Sequence, residues 1–302
     1  MKKALIGFIL LISLGGIFIY QYSRFNDGKF HVVFCDVGQG DAIFIRTPKG
    51  SDVLIDGGPD DSVLSCLSSN MPFWDRDLEL VILTHPHADH LNGLISVLGH
   101  YKVDLFATEM IKNNTGGFSR LMEKIKDENI KIRYVYAGDR FVFKDGVVLK
   151  IAGPSKEFIK KTSPGGVIGE RKEFASVVSF IKYKGFEVLL TGDSQATELK
   201  DSLRLVSLAQ GKISILQVPH HGSKTGLTSE ILDSIKPELA VISVGKNNYG
   251  HPAASILKIL GEGDINPPAK ASLKAMRAGI LRTDRDGEIE IVSDGESWGV
   301  SL

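Results

Sequence analysis

The sequence predicts an α/β protein built as an αββα sandwich, two sheets faced by outer helices, behind an apolar amino-terminal segment. Three observations predict it. Short apolar runs separated by Gly-rich turns dominate the first part of the chain, and strand–helix alternation takes over later. Clusters of His and Asp follow directly on apolar runs, where open α/β sheets place their sites. The first twenty residues are almost wholly apolar.

Lys2 and Lys3 precede the apolar run Ala4–Tyr20, which only glycines and Ser13 interrupt. A positive start before an apolar run of this length reads as a targeting segment, at the short end of what spans a bilayer. The run outlasts an ordinary signal-peptide core, and Gln21-Tyr22-Ser23-Arg24-Phe25 is a poor cleavage site. Residues 1–28 are therefore expected to be an uncleaved signal anchor, lysines inside and body outside the cytoplasmic membrane. A cleaved signal peptide and a secreted body is the alternative.

Residues 29–302 read as one domain without repeat, low-complexity tract or linker. Hydrophobic residues are 43% and charged residues 24%, which excludes bulk disorder. The net charge is zero, from 36 basic and 36 acidic residues, so no global field draws nucleic acid and a basic footprint must be local. Strands are expected at Phe30–Cys35, Ala42–Thr47, Asp52–Ile55 and Leu78–Thr84, then helices at Leu91–Leu98 and Phe118–Asn129. Strands return at Lys131–Tyr136 and in a hairpin, Arg140–Phe143 with Val147–Ala152, around Lys144-Asp145-Gly146. Further strands are expected at Ala175–Lys182, Glu187–Thr191, Lys212–Val218 and Leu239–Val244. Helices at Gln195–Ala209, Thr228–Ile235 and Ala253–Leu260 alternate with the later ones. Cys35 and Cys66 have the option of pairing in an exported protein, but Cys35 inside an apolar strand is expected to be a buried, inert thiol.

His85-Pro86-His87-Ala88-Asp89-His90 carries the chemistry. Four metal-capable side chains fall within six residues on the exit of an apolar strand, and mixed imidazole and carboxylate donors suit Zn²⁺ or Mn²⁺. A polar loop whose histidines cap a helix is the bland reading, which this density disfavours. Other strand ends deliver Asp193, then Pro219-His220-His221-Gly222-Ser223-Lys224-Thr225, then Gly245-Lys246-Asn247-Asn248-Tyr249-Gly250-His251. Six of the eight histidines lie in these clusters; His31 reads as a strand residue and His100 as a helix end. Adjacent residues leaving a strand point oppositely, so one of His220 and His221 should face the metals. His220 is the expected ligand and His221 the one that packs or meets substrate.

These stretches, with Phe34–Ala42, Leu54-Ile55-Asp56-Gly57-Gly58 and Arg282-Thr283-Asp284-Arg285-Asp286-Gly287, resemble a metallo-β-lactamase-fold hydrolase. More narrowly they resemble the soluble domain of ComEC/Rec2-like competence proteins. The resemblance spans roughly residues 29–292 and implies His85, His87, Asp89, His90 and Asp193 as ligands of two divalent ions, Asp193 bridging. It implies Asp56 as the residue that orients the histidine loop without binding metal. His220 and His251 compete for the remaining ligand positions, His251 alternatively contacting the leaving group. One departure stands out: no histidine lies between the first motif and Asp193 except His100, too near the first to serve. Glu173 is one candidate for that place and a solvated charge is its other reading.

Two-metal chemistry of this kind suits phosphodiester hydrolysis by a metal-bridging hydroxide that Asp89 and Asp193 hold. His221, Ser223, Lys224, Thr225 and Lys246 are the expected substrate contacts, against helix capping and plain surface charge as their bland readings. The expected function is a metal-dependent phosphodiesterase or nuclease acting on DNA outside the membrane. A β-lactam or lactone hydrolase and a non-catalytic binding module are the alternatives. The competence proteins' polytopic channel has no counterpart here, so DNA transport does not follow from the resemblance. A loop and short basic helix across residues 261–278 have no place in the family pattern and read as a surface insertion or a DNA contact.

Overall fold

The computed structural model describes residues 2–206, 208, 211–261 and 279–302. A long first helix, α1 (Lys2–Phe25), contains the 21-residue apolar stretch Leu5–Phe25, none of it buried in the protein. The chain then enters β1 (Phe30–Phe34), β2 (Ile43–Arg46) and β3 (Asp52–Ile55), followed by α2 (Ser62–Asn70). Next come β4 (Asp77–Leu78), β5 (Leu80–Leu83), α3 (Ala88–His100), β6 (Lys102–Val103), β7 (Leu105–Thr108), α4 (Gly116–Asp127) and β8 (Lys131–Tyr134). The second half holds β9 (Arg140–Val142), β10 (Val148–Gly153), α5 (Lys156–Thr162), β11 (Val178–Tyr183), β12 (Phe186–Leu190) and α6 (Ala196–Leu203). It continues through β13 (Ile215–Gln217), α7 (Ser229–Ile235), β14 (Leu239–Ile242), α8 (Ala254–Leu260), β15 (Gly279–Arg282) and α9 (Thr283–Asp286), and ends with β16 (Ile289–Ser293) and β17 (Trp298–Ser301).

One sheet runs β17-β16-β1-β2-β3-β5-β7-β8 and the other β15-β14-β13-β12-β11-β10-β9, with β4 and β6 as a small separate pair. The sheets face each other because their strands alternate between two buried faces. Phe30, Val32 and Phe34 of β1 point into the inter-sheet core with Val188 and Leu190 of β12, while Val33 points under the helices. α2, α3 and α4 cover the outer face of the first sheet and α6, α7 and α8 that of the second. This is the expected αββα sandwich.

Elements the sequence pattern did not mark are α2, α5, α9, the short β4–β6 pair, β7 and the last two strands. The expected helix Gln195–Ala209 is shorter, Ala196–Leu203, and part of its carboxyl end lies outside the described residues. The 262–278 part of the insertion also lies outside them. The thiol expectation for Cys35 is corrected: α2 brings Cys66 beneath the end of β1, Cα to Cα 5.7 Å, and the two form a disulfide. Both sulfurs are buried, so burial was read correctly and pairing was not.

Candidate metal centre

All the histidine clusters meet at one end of the sandwich, in the seam between the sheets. β3 and β5 of the first sheet deliver Asp56 and His85–His90; β12, β13 and β14 of the second deliver Asp193, His220–His221 and the loop to His251. Two backbone contacts hold the seam on the first side. Gly57 N–H donates to His90 C=O at 2.7 Å and Gly93 N–H to Gly58 C=O at 3.1 Å, which pins the start of α3 against the end of β3. A side chain on Gly93 would collide with the Gly57 carbonyl, and one on Gly40 with the Asp89 carbonyl, so both positions need glycine.

The donors fall into two groups that share Asp193. In one, His85 Nε2 and His87 Nδ1 are 2.9 Å apart, and Asp193 Oδ2 lies 3.7 Å from His85 Nε2 and 3.5 Å from His220 Nε2. In the other, Asp193 Oδ1 is 3.4 Å from His90 Nε2 and 3.5 Å from His221 Nε2, and Asp89 Oδ2 is 3.4 Å from His221 Nε2 and 3.9 Å from His90 Nε2. His90 Nε2, His221 Nε2 and Asp193 Oδ1 are buried with no hydrogen-bond partner. Buried polar atoms are rarely left so, and three of them aimed at one point mark a place for a cation. Donors held ~2.0–2.2 Å from one ion would stand roughly 3–3.6 Å apart, which most of these separations match. The residues present fit divalent metal.

The outer nitrogens of the same rings are anchored. His90 Nδ1 bonds Asp56 at 2.8 Å, His221 Nδ1 donates to Ser243 C=O at 2.9 Å, and His85 Nδ1 meets Thr84 Oγ1 at 3.1 Å. Thr84 Oγ1 in turn donates to Asp56 at 2.7 Å. With Nδ1 carrying the hydrogen, each Nε2 lone pair is turned inward. Asp56 sits at φ 60°, a conformation a branched residue resists, and accepts three bonds there: Thr84 N–H, Thr84 O–H and His90.

The electrostatics follow from three buried carboxylates, Asp41, Asp56 and Asp193, and the partly exposed Asp89 around these rings. Burial disfavours charge on His90 and His221, yet Asp193 with Asp56 and Asp89 holds His90 well above the ordinary imidazole range. Asp193 and Asp41 likewise carry His221 to about 9 against its burial. Asp89 and Asp193 are held well below the carboxylate range by those histidines in spite of burial. His85 and His87 are pushed down by burial and stay neutral, with lone pairs available. A pocket that holds protons this firmly on histidine is one in which a metal cation would displace them.

Two residues of the centre went unnoticed in the sequence. Asp41, fully buried, faces His221 Nδ1 at 3.6 Å and His90 Nδ1 at 3.9 Å; burial pushes its carboxyl up to about 6. Gln217 donates to Asp41 at 2.7 Å and accepts from Thr191 and Gly192 N–H, so it ties the loop carrying Asp193 to the first sheet. Gly40-Asp41 before an apolar strand was a visible signal for the first; a glutamine inside a buried strand was the only one for the second.

The expectation that His220 and His221 diverge is corrected. Both have left-handed backbone, φ 54° and 53°, so strand alternation does not apply and both Nε2 atoms face Asp193. His251 stands further out, its ring 5.7 Å from His220, and belongs to neither donor group. Glu173 is not in either group and pairs loosely with Lys161 at 4.0 Å. Its neighbour Phe174 packs on His85, His87 and His220, ring centroids 5.2, 4.9 and 5.9 Å apart, filling the side where the absent middle histidine was sought. On the rim, Ser223 and Thr225 hydroxyls bond each other at 3.1 Å, and Thr228, not either of them, caps α7. Lys224 and Lys246 are exposed.

The sequence profile of the metallo-beta-lactamase superfamily matches residues 35–246. ComE operon protein 3 of Bacillus subtilis is 27% identical over 295 residues, covering 91% of this chain and 34% of that protein, so the chain spans about a third of its relative's length. Exodeoxyribonuclease WalJ of Streptococcus pneumoniae is 29% identical over 82 residues, 27% of this chain and 30% of that one. Among solved structures, CmlA, a diiron beta-hydroxylase from Streptomyces venezuelae, superposes with a TM-score of 0.54 at 12% identity, over 88% of this chain and 54% of that one.

Proposed function

The chain belongs to the metallo-beta-lactamase superfamily, and from that premise we propose that it is a metal-dependent phosphodiesterase acting on DNA outside the cytoplasmic membrane. The observation that carries the reading is the pair of donor groups joined through the two oxygens of Asp193, in one of which His90 Nε2, His221 Nε2 and Asp193 Oδ1 have no hydrogen-bond partner among the described residues. The groups are His85, His87, His220 and Asp193 on one side, and Asp89, His90, His221 and Asp193 on the other. Divalent ions bound there would activate water and polarise the scissile phosphodiester.

The chain's own residues do the rest. Asp56, Thr84 and Ser243 fix ring orientation, and Gln217 and Asp41 fix the approach of the two sheets. Asp89, partly open at the mouth, and Asp193, wholly buried, are the carboxylates that face incoming water. His251, half-buried on the rim, is the residue assigned to the leaving group in this reading. Lys224 and Lys246, with Ser223 and Thr225, offer the charge and hydroxyls that phosphate oxygens need.

Residues 1–28 serve as membrane anchor and 29–302 as the hydrolase domain. α1 is apolar and uncovered, and the buried Cys35–Cys66 bond suits an oxidising compartment, both in favour of a body outside the cytoplasm. The names of the relatives, a competence operon protein and an exodeoxyribonuclease, support DNA as substrate. The test is cleavage of labelled single- and double-stranded DNA with added Mn²⁺ or Zn²⁺, alongside β-lactam and lactone substrates. DNA cleavage that Asp193→Asn abolishes supports the proposal. Turnover of a lactam or lactone with intact DNA would replace it.

A further inference from the structure

Two large aromatic side chains stand exposed beside the end of the anchor helix. Phe73 is 59% and Trp74 41% exposed, although the residues flanking their loop, Met71 and Leu78, are buried. The loop is not loose: Asp75 N–H closes a turn on Pro72 C=O at 2.9 Å, and Asp75 meets Arg46 at 3.5 Å. A rigid turn that presents two aromatics to solvent loses hydration free energy unless something apolar receives them. The Trp74 ring packs on Phe18 of α1, centroids 4.8 Å apart, and on Phe73 at 4.8 Å. Phe18 lies two residues inside the end of the apolar run Ala4–Tyr20, about 3 Å along the helix axis. Whatever surrounds Phe18 therefore surrounds Trp74.

We propose that the Pro72–Trp74 turn is a second membrane-binding element, inserted at the headgroup–acyl boundary of the bilayer that α1 enters. The inference rests on the reading of α1 as a membrane anchor. Trp and Phe are the side chains that settle at this depth, the indole N–H remaining wet while the ring body is buried. Arg24, exposed at the end of α1, and the exposed Lys29 stand at the level of lipid phosphates. The helix end is itself clamped to the body: Arg24 donates to Ser69 C=O at 3.2 Å and Arg46 to Phe25 C=O at 3.2 Å. The body thus rests on the membrane at two points in one orientation. The turn precedes β5 and the histidine loop follows it, so about 13 Å of strand separates them and the metal centre faces away from the lipid.

The chain has two tryptophans, which makes the test direct. The full chain is reconstituted in vesicles of phosphatidylcholine and phosphatidylglycerol carrying bromines either near the headgroup or near the chain terminus. Emission should be quenched most by the shallow bromines and should lose access to aqueous acrylamide. Trp74→Phe, which leaves Trp298 packed on Phe186, should lose most of the lipid quenching, and Phe73→Asp should weaken it. A chain that washes off the vesicles in carbonate overturns the anchor reading and this proposal with it. A chain that stays with the vesicles while Trp74 remains open to acrylamide overturns the second contact alone. Trp74 shielded from acrylamide yet insensitive to bromine assigns the turn to a second copy of the chain and overturns the proposal.

Discussion

Asp193 gives one oxygen to each donor group, so its role differs from that of any single histidine. Loss of His221 removes one donor from the Asp89–His90 group and leaves His85 and His87 untouched. His221→Ala should therefore lower bound divalent metal by one ion per chain, and His85→Ala/His87→Ala should empty the other group, both read by elemental analysis. Asp56→Ala leaves every donor in place but frees the His90 ring, and should weaken metal affinity by roughly 10–100-fold in a titration. Equal occupancy in all of these proteins would remove the ligand assignment. At this scale the sequence was legible where donors are contiguous: His85–His90 occupies one strand exit and needs no long-range contact to be seen. Asp41 and Gln217 were not legible, because what makes them part of the centre is a hydrogen bond across 176 positions of sequence. The expected divergence of His220 and His221 did not hold, for a local reason. Strand periodicity assumes extended backbone, and two consecutive left-handed residues break it at a cost of about 1–3 kcal/mol each, a strain typical of functional sites.

Among the elements, α2 has the largest consequence for stability that the pattern did not reveal. Its run Ser62-Val63-Leu64-Ser65-Cys66-Leu67-Ser68-Ser69-Asn70 is serine-rich and weakly periodic, so no helix was expected there. Packed in place, it joins Cys66 to Cys35 across 31 residues, and loop-closure entropy for that length is worth about 3–4 kcal/mol. Reduction, or the Cys35→Ala/Cys66→Ala pair, should lower the thermal midpoint in detergent by roughly 5–15 °C. An unchanged midpoint would mean that the bond is absent or that the denatured chain is already constrained. A second contact, at the start of β1, has a pH signature. Burial lowers the His31 pKa, but hydrogen bonds to Glu290 at 2.9 Å and Asp27 at 3.1 Å outweigh it, and the net shift is upward. A folded-state pKa above the unfolded one stabilises the protein below about pH 6.5, and that contribution is lost as pH rises through the folded value. His31→Gln should cost stability near pH 5.5 and little near pH 9, by thermal unfolding of both proteins side by side; a constant difference across that range contradicts the linkage.

For the whole molecule, zero net charge constrains how DNA, the proposed substrate, would be bound. With 36 basic and 36 acidic residues, no long-range field concentrates a polyanion at the surface, and on the proposed reading affinity would come from the few cations at the mouth of the metal centre. Two exposed lysines on that rim, Lys224 and Lys246, would neutralise about two phosphates, and each contact contributes roughly 0.9 to the slope of log affinity against log salt for duplex DNA. The predicted dependence is shallow, a slope near −2, where a basic DNA-binding protein shows several times that. Lys224→Ala should remove about one unit of the slope and weaken binding without abolishing turnover at saturating substrate, because in the proposed site the lysine would hold phosphate without touching the reacting atoms. The measurement is binding of labelled DNA by Asp193→Asn, and by the same protein with Lys224→Ala, across a salt series. A slope far steeper than −2 would place the DNA footprint elsewhere on the surface. A slope that Lys224→Ala leaves unchanged would take Lys224 out of the phosphate site while leaving the metal assignment intact, since the two rest on different residues.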